Sequence, residues 1–509
     1  MNSTGLLARV LATACEGFRF HSPDSRLHVT RAPARIDVSS ESQSTPHLYS
    51  SMIDAMNRKI LVTVLLLGFL AVMFGAFGPS TLRGQVRDLP AIAITHVTVI
   101  DTIAGTAEAN MTVVVRGERI VSVEKAGAVP SGAQTFESRG KFLIPGLWDM
   151  HVHLSYARES ALPVLAATGV TYVRDVGSDL SEIDRWRGEI AANTILGPTI
   201  LRAGPILNGQ ESNQYHLLIA NAADARMAVR TLKKAGVDLL KTHRRTSRET
   251  YFALADEAKK VGLPLVGHIP MTVTPAEASG AGQQTIEHIE TLFEGTFATA
   301  HNNQDASEIA KWRTSSDATL LFEVFVRNGT VVDPTLIATG YLSKLLASAS
   351  PDPRLKYMAA SARQQLEQTL KNAPAALLAS LPALVRERQS VALQMQAAGV
   401  TLVTGTDLSF LHPPGFSLHD ELDMLVASGL TPAEVLRAAT INCANLFPSL
   451  GAGAVAPGKP ADFLLLNGNP LASIRNVHDI AAVVVRGRLL NRRALDRILA
   501  DAARLATAN

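Results

Sequence analysis

The stretch Lys141–Leu154, KFLIPGLWDMHVHL, decides how this chain is read. Pro145-Gly146 is a turn signal. An apolar run follows and ends on two histidines, His151 and His153. In a strand, residues i and i+2 point to the same side, so the two imidazoles project together. A pair of imidazoles at a strand end can begin a metal site, but by itself says only that a metal could bind.

Working outward, strands and helices alternate downstream. Val170–Asp175 is a strand, and Pro198–Ala203 is the next. Ala222–Ala235 has helical periodicity and Gly236 stops it, before the short apolar strand Val237–Lys241. Ser247–Val261 reads as a helix, with Ser247 and Glu249 suited to its first turn. Leu263–His268, Thr285–His288, Thr330–Pro334 and Val400–Asp407 follow as strands. Eight short strands separated by helices imply an α/β fold with parallel strands closed into a (β/α)8 TIM barrel. Lys241, His268, His288 and Asp407 each end one of these strands, as His151 and His153 end the first. The C-terminal strand ends are the catalytic face of such a barrel. The polar stretch 293–318 and the Ala/Leu/Gln-rich, helical stretch 351–397 interrupt the alternation where a barrel builds its substrate pocket.

Upstream, Ala91–Asp101 and Met111–Glu124 are β-branched and alternating, and the second contains a Gly-Glu turn. Ala461–Leu466 and Ile480–Val485 read the same way near the other end, joined by a turn at Asn467–Pro470. The expected organisation is a barrel, residues 146–448, inserted into a small β-sandwich. The two halves of the sandwich are 86–145 and 449–509, the latter with a C-terminal helix. Residues 1–55 are a polar extension without period, and 56–85 contain Met56-Asn57-Arg58-Lys59 followed by the apolar run Ile60–Phe77. That pattern is a signal peptide or membrane anchor. It implies a start at Met52 or Met56 with the extension untranslated, or else a genuine extension ahead of one anchor. Either way the body of the chain is expected to be exported, periplasmic or secreted, with the membrane involved only through that segment.

Composition narrows the chemistry. Lys plus Arg (48) nearly balance Asp plus Glu (45), so the net charge of +3 gives no reason to propose nucleic acid as a partner. The only cysteines, Cys15 and Cys443, form no metal-binding pair, so any metal must be held by nitrogen and oxygen. Imidazole and carboxylate suit Zn²⁺ and related divalent ions. Such an ion lowers the pKa of bound water from about 16 to about 7. Asp407 is the candidate to take that water's proton and pass it to a leaving amine. An ammonium at Lys241 would repel a metal, but burial lowers a lysine pKa. A neutral lysine can react with CO₂ to give a carbamate, an oxygen ligand able to bridge two metals. Among weaker candidates, Arg174 is either a structural ion-pair partner or a substrate contact. Asn208, Gln210 and Tyr215 sit in the loop after the third strand, and His243 is placed to line a pocket. His419 begins a helix that it helps to position.

IPGLWDMHVHL (144–154) resembles the first-strand motif of the amidohydrolase superfamily. VGHIP around His268, IEHIE around His288 and TGTDL around Asp407 are similar to its later motifs. Residues 414–440 and 457–471 resemble the closing segments of its imidazolonepropionase-like and prolidase-like (Xaa-Pro dipeptidase-type) branch. The resemblance, over residues 91–490, implies metal ligation by His151, His153, His268 and His288, with Asp407 as ligand and general base/acid. Lys241, in VDLLKTH, matches the N6-carboxylated bridging lysine of binuclear members, whereas imidazolonepropionases proper use one metal and lack it. The lysine points to two Zn²⁺ ions and to the peptidase-like branch. His243 departs from the family pattern. The expected activity is hydrolysis of an amide C–N bond in a dipeptide or N-acyl amino acid by a metal-activated hydroxide, from a homo-oligomer acting on a small molecule. The alternatives are a cyclic amide, lactone or xenobiotic amide such as a mycotoxin, or, in another class, a non-catalytic binding protein on a degenerate barrel.

Overall fold

A computed structural model describes residues 91–210, 213–294, 305–348 and 350–508. The polar extension and the apolar segment of the N-terminus lie outside the described residues. In chain order the first strands are β1 (Ile92–Asp101), β2 (Thr106–Arg116), β3 (Arg119–Lys125), β4 (Gln134–Glu137) and β5 (Phe142–Pro145). The middle of the chain gives β6 (Leu147–Val152), β7 (Val170–Asp175), β8 (Thr199–Arg202), β9 (Ile206–Asn208) and β10 (His216–Leu218). It continues with β11 (Leu240–Thr242), β12 (Leu265–Gly267), β13 (Gln283–Glu287) and β14 (Val331–Asp333). The last are β15 (Phe463–Leu466), β16 (Ile480–Val485) and β17 (Arg488–Asn491).

The two ends of the chain pair into one eight-stranded sheet, ordered β17-β16-β15-β5-β1-β2-β3, with β4 alongside β1. The junction is β15 against β5, antiparallel, with Leu464 opposite Ile144. Period-2 alternation serves two cores. Phe463 and Leu465 pack with Val113, Leu143 and Val484, while Leu464, Leu466 and Val483 face the helices of the central body. Its hydrogen bonding joins all eight strands into one continuous sheet. The turn inside the second predicted strand makes β2 and β3 a hairpin through Gly117-Glu118, as read from the sequence.

The quoted stretch passes from this sheet into the central body at Gly146. A Cβ there would lie 1.9 Å from Thr171 Oγ1, so only glycine lets β5 hand over to β6 in this place. The central strands are parallel, as expected, but they form a three-stranded sheet β6-β7-β8 and a six-stranded sheet β10-β9-β11-β12-β13-β14 rather than one continuous ladder. Helices between them follow their sequence signals. The Ser247 hydroxyl accepts from Thr250 N to cap Arg248–Val261, and Gly262 ends that helix at φ 66°. Asn221 caps Ala222–Lys234. The 351–397 stretch is helical, as Ala360–Asn372 and Ala375–Ala397.

The eighth predicted strand, Val400–Asp407, is the main departure. It forms no regular ladder with its neighbours, meeting them at isolated bridges, Leu402 to Val332 and Leu408 to Val152, and through a Met150 N–H to Thr404 O bond of 2.8 Å. Two residues break the ladder between those points. Thr406 donates its N–H to the Asp149 carboxylate at 3.0 Å instead of to a strand. Asp407 takes a left-handed conformation, φ 57°, which no regular strand accommodates.

Candidate metal centre

Asp149, two residues before His151, organises the top of β6. Its carboxylate accepts from His151 N at 3.2 Å, from Thr406 N at 3.0 Å and from the Thr406 hydroxyl at 2.7 Å. One buried side chain therefore sets the backbone of two proposed ligands, His151 and Asp407. Burial pushes its carboxyl up to about 7. The left-handed turn at Asp407 then brings its Oδ1 to 3.3 Å from His151 Nε2 and 3.2 Å from His153 Nε2. His288 is also left-handed, φ 63°. A non-glycine residue held there costs about 1–3 kcal/mol, and such strain collects where a side chain must be re-aimed.

The expected ligands converge. The ligand atoms of His151, His288 and Asp407 all lie within 4.8 Å of one another. The ring of His151 is 5.2 Å from that of His153 and 4.6 Å from that of His288, and His288 is 4.6 Å from His268. Lys241 is fully buried, and its Nζ lies 3.3 Å from His151 Nε2. Gly267 makes room for it, because a Cβ at that position would lie 2.9 Å from Lys241 Cδ and 2.3 Å from Thr242 O.

Burial sets most of the electrostatics. It drives the imidazoles of His151 and His268 well below their usual pKa and lowers that of His288, which favours the neutral form, the one that binds metal. It also lowers the Lys241 ammonium, against the pull of Glu287 and Asp407. Burial would raise the Asp407 carboxyl, but His151, His153 and His288 outweigh it and hold the group well below the carboxylate range. His153 Nδ1 sits 3.1 Å from Gly177 O, and His288 Nδ1 sits 2.8 Å from the Thr335 hydroxyl. Each contact leaves Nε2 for the centre. The buried Nδ1 of His268 has no hydrogen-bond partner among the described residues. Neutral imidazoles, one ionised carboxylate and a lysine whose charge burial disfavours fit a divalent cation.

The weaker candidates separate. Arg174 is the ion-pair residue of the two alternatives. It is fully buried, with Nη2 at 2.7 Å from Glu287 Oε1, Nη1 donating to Thr285 Oγ1 and Nε to Met150 O, so every nitrogen of its guanidinium is engaged by the protein. Tyr215 packs edge-on against Tyr156, ring centroids 4.7 Å apart, and Tyr156 stands 6.1 Å from His153. His243 lies between His216 (5.2 Å) and His268 (4.4 Å), continuing the row of imidazoles away from the centre. His419 Nε2 meets Thr168 O at 2.8 Å and so fixes its helix, as expected.

Sequence reasoning missed Glu287 and Asp333. Both are fully buried below His151 and form, with it, a second group of ligand-type atoms within 4.8 Å. Glu287 directly precedes His288, so strict alternation would point the two apart. The left-handed turn at His288 cancels that rule. The available signal was an acidic residue on each of two predicted buried strands.

Residues 142–490 match the Amidohydrolase family. The chain belongs to the amidohydrolase family. It is a hydrolase acting on carbon–nitrogen bonds. A crystal structure assigned as a prolidase from Bifidobacterium longum is 28% identical, with a TM-score of 0.61, over 82% of this chain and 99% of that one. Bottromycin amidohydrolase is 23% identical with a TM-score of 0.68, over 81% of this amidohydrolase and 90% of that chain, which supports the fold. An imidazolonepropionase from Deinococcus deserti is 42% identical over 73 residues, 14% of this chain and only 18% of its own length.

Proposed function

We propose that this amidohydrolase cleaves an amide bond in a dipeptide or N-acyl amino acid, with divalent metal, two Zn²⁺ in the fullest form, held by His151, His153, His268, His288, Asp407 and Lys241. The observation that carries the reading is the meeting of His151, His288 and Asp407 ligand atoms within 4.8 Å, beside a buried lysine. When bound, the metal would supply an acidified water and polarise the carbonyl. The chain's own residues do the rest. Asp407, ionised and bordered by two imidazoles, is placed to accept a proton and return it to the departing nitrogen. Tyr156, beside His153, borders the site with an aromatic surface. Lys241, buried among these groups, is the residue whose carbamate would join two ions.

The prolidase-like structure, matched along its whole length, supports a peptide-type substrate over other amides. In the same reading, the parallel strands and the eight-stranded sheet correspond to a barrel carried by a sandwich. Export and homo-oligomerisation are kept as proposals, checked by cell fractionation and light scattering. The deciding experiment is a panel of dipeptides and N-acyl amino acids, run beside lactones, cyclic amides and mycotoxin amides, with Zn²⁺-, Mn²⁺- or Co²⁺-loaded enzyme. Turnover that follows side-chain identity in the first group supports the proposal. Turnover confined to the second group reassigns the substrate. A well-folded protein that turns over nothing with any of the metals favours a binding role.

A further inference from the structure

His151 is held between two different environments. Its Nε2 faces Lys241 Nζ and Asp407 Oδ1, each at 3.3 Å. Its Nδ1 faces two carboxylates, Glu287 Oε2 at 3.2 Å and Asp333 Oδ2 at 4.0 Å. All of these except Asp407 are fully buried, so protein groups set which nitrogen carries the proton. The Glu287 approach lies off the straight N–H direction, and Nδ1 has no in-line acceptor among the described residues. The force on it is therefore chiefly the field of the carboxylate. That carboxylate is itself clamped. Arg174 Nη2 donates to both of its oxygens, at 2.7 and 2.9 Å, and the Thr285 hydroxyl, which accepts from Arg174 Nη1, donates to Oε1.

We infer that Glu287, fixed by Arg174 and Thr285, is a positioning residue that holds His151 as its Nδ1–H tautomer and turns the Nε2 lone pair toward the ligand cluster. The consequence for metal affinity rests on the metal-centre reading above, but the tautomer itself does not. The clamp makes a sharp prediction for Glu287→Gln. Arg174 and Thr285 both require an acceptor at the Oε1 position. The Oε2 position receives only the longer Arg174 contact, so the amide is expected to place its oxygen at Oε1 and its NH₂ toward His151 Nδ1. A donor in that place makes Nδ1 the acceptor and moves the ring proton to Nε2, where it points into the ligand cluster.

The test uses the full chain labelled with ¹⁵N-histidine and stripped of metal by a chelator. The His151 signals are identified by their loss in His151→Asn. The wild type is expected to show a protonated Nδ1, and Glu287→Gln a protonated Nε2. Zn²⁺ titration of the metal-free proteins is expected to show a 10–100-fold weaker affinity in the variant. Leu464→Ala, a destabilising change in the terminal sheet, is expected to lower the melting temperature and leave both readouts unmoved, the pattern that a merely structural role for Glu287 would give in Glu287→Gln as well. If Glu287→Gln does not fold, the double variant Arg174→Met/Glu287→Gln removes the uncompensated buried cation and is expected to lose the Nδ1 preference. An unchanged tautomer in the variants, or an Nε2–H tautomer in the wild type, overturns the inference. A wild type with the Nδ1–H tautomer that takes up no Zn²⁺ would instead overturn the metal-hydrolase reading while leaving the hold of Glu287 on His151 in place.

Discussion

Replacing Asp149 with asparagine should change how stability depends on pH, by an amount the structure fixes. The carboxyl is fully buried and accepts three hydrogen bonds, and burial raises it from 3.8 to about 7. A folded-state pKa above the unfolded one means that the folded state holds the proton more tightly. The contribution is thus fully present below pH 3.8 and is lost as pH rises through about 7. At about 1.4 kcal/mol for each pH unit, wild type should lose about 3 kcal/mol between pH 5 and pH 8 from this group alone. Asparagine keeps the acceptor for the two backbone N–H groups and carries no titrating proton. At pH 5 the two proteins should therefore agree to within about 1 kcal/mol. By pH 8 the balance should have moved by about 3 kcal/mol in favour of Asp149→Asn. Other buried acids that burial raises, Glu421 to about 8 among them, are common to both proteins, and only the part of that rise due to Asp149, the smallest of its causes, differs between them. The assay is urea unfolding of the chelator-treated pair at pH 5, 6, 7 and 8. A difference that stays flat across that range would refute the account of Asp149 as a protonated acid joining β6 to the Asp407 segment.

Three further outcomes follow from the same geometry. Asp407→Asn should fold and retain metal while kcat falls by at least about 100-fold, and full turnover in the variant would remove Asp407 from the proton-transfer role. Thr335→Val removes the hydroxyl 2.8 Å from His288 Nδ1 and should weaken Zn²⁺ binding by about tenfold or more without unfolding, as read by metal titration beside circular dichroism. Gly146→Ala drives a methyl into Thr171 Oγ1 and should cost about 1–3 kcal/mol, part of which Thr171→Ala should restore in denaturant titrations.

The ends of the central strands were legible because apolar runs stop there on residues that do not belong in a core. Lys241 lies within the three-residue β11, and His268 and His288 directly follow β12 and β13, for that reason. What stayed hidden has a common physical cause. β9, β10 and β17 are three or four residues long, too short for an alternating pattern to stand out from a loop. The break in the eighth strand depends on a left-handed Asp407 and on a carboxylate, Asp149, more than 250 residues earlier. No local signal encodes either. Glu287 was passed over because a period of two assigns it and His288 to opposite faces, and His288 does not obey that period. Arg174 could be weighed from the sequence but not decided, since its partner was the glutamate that had been missed.

The pairing of β5 with β15 also bears on how the chain is made. Ile144 and its partner Leu464 are separated by about 320 residues of synthesis. At about 5–20 residues per second, the edge of β5 waits tens of seconds for the strand that covers it. Its Leu143 and Ile144 are fully buried in the finished protein, so throughout that interval the nascent chain carries an open apolar edge of the kind that recruits other chains. A chain truncated before Phe463 would keep that edge for good. Translation arrest or C-terminal clipping is therefore expected to yield aggregates rather than a smaller soluble enzyme.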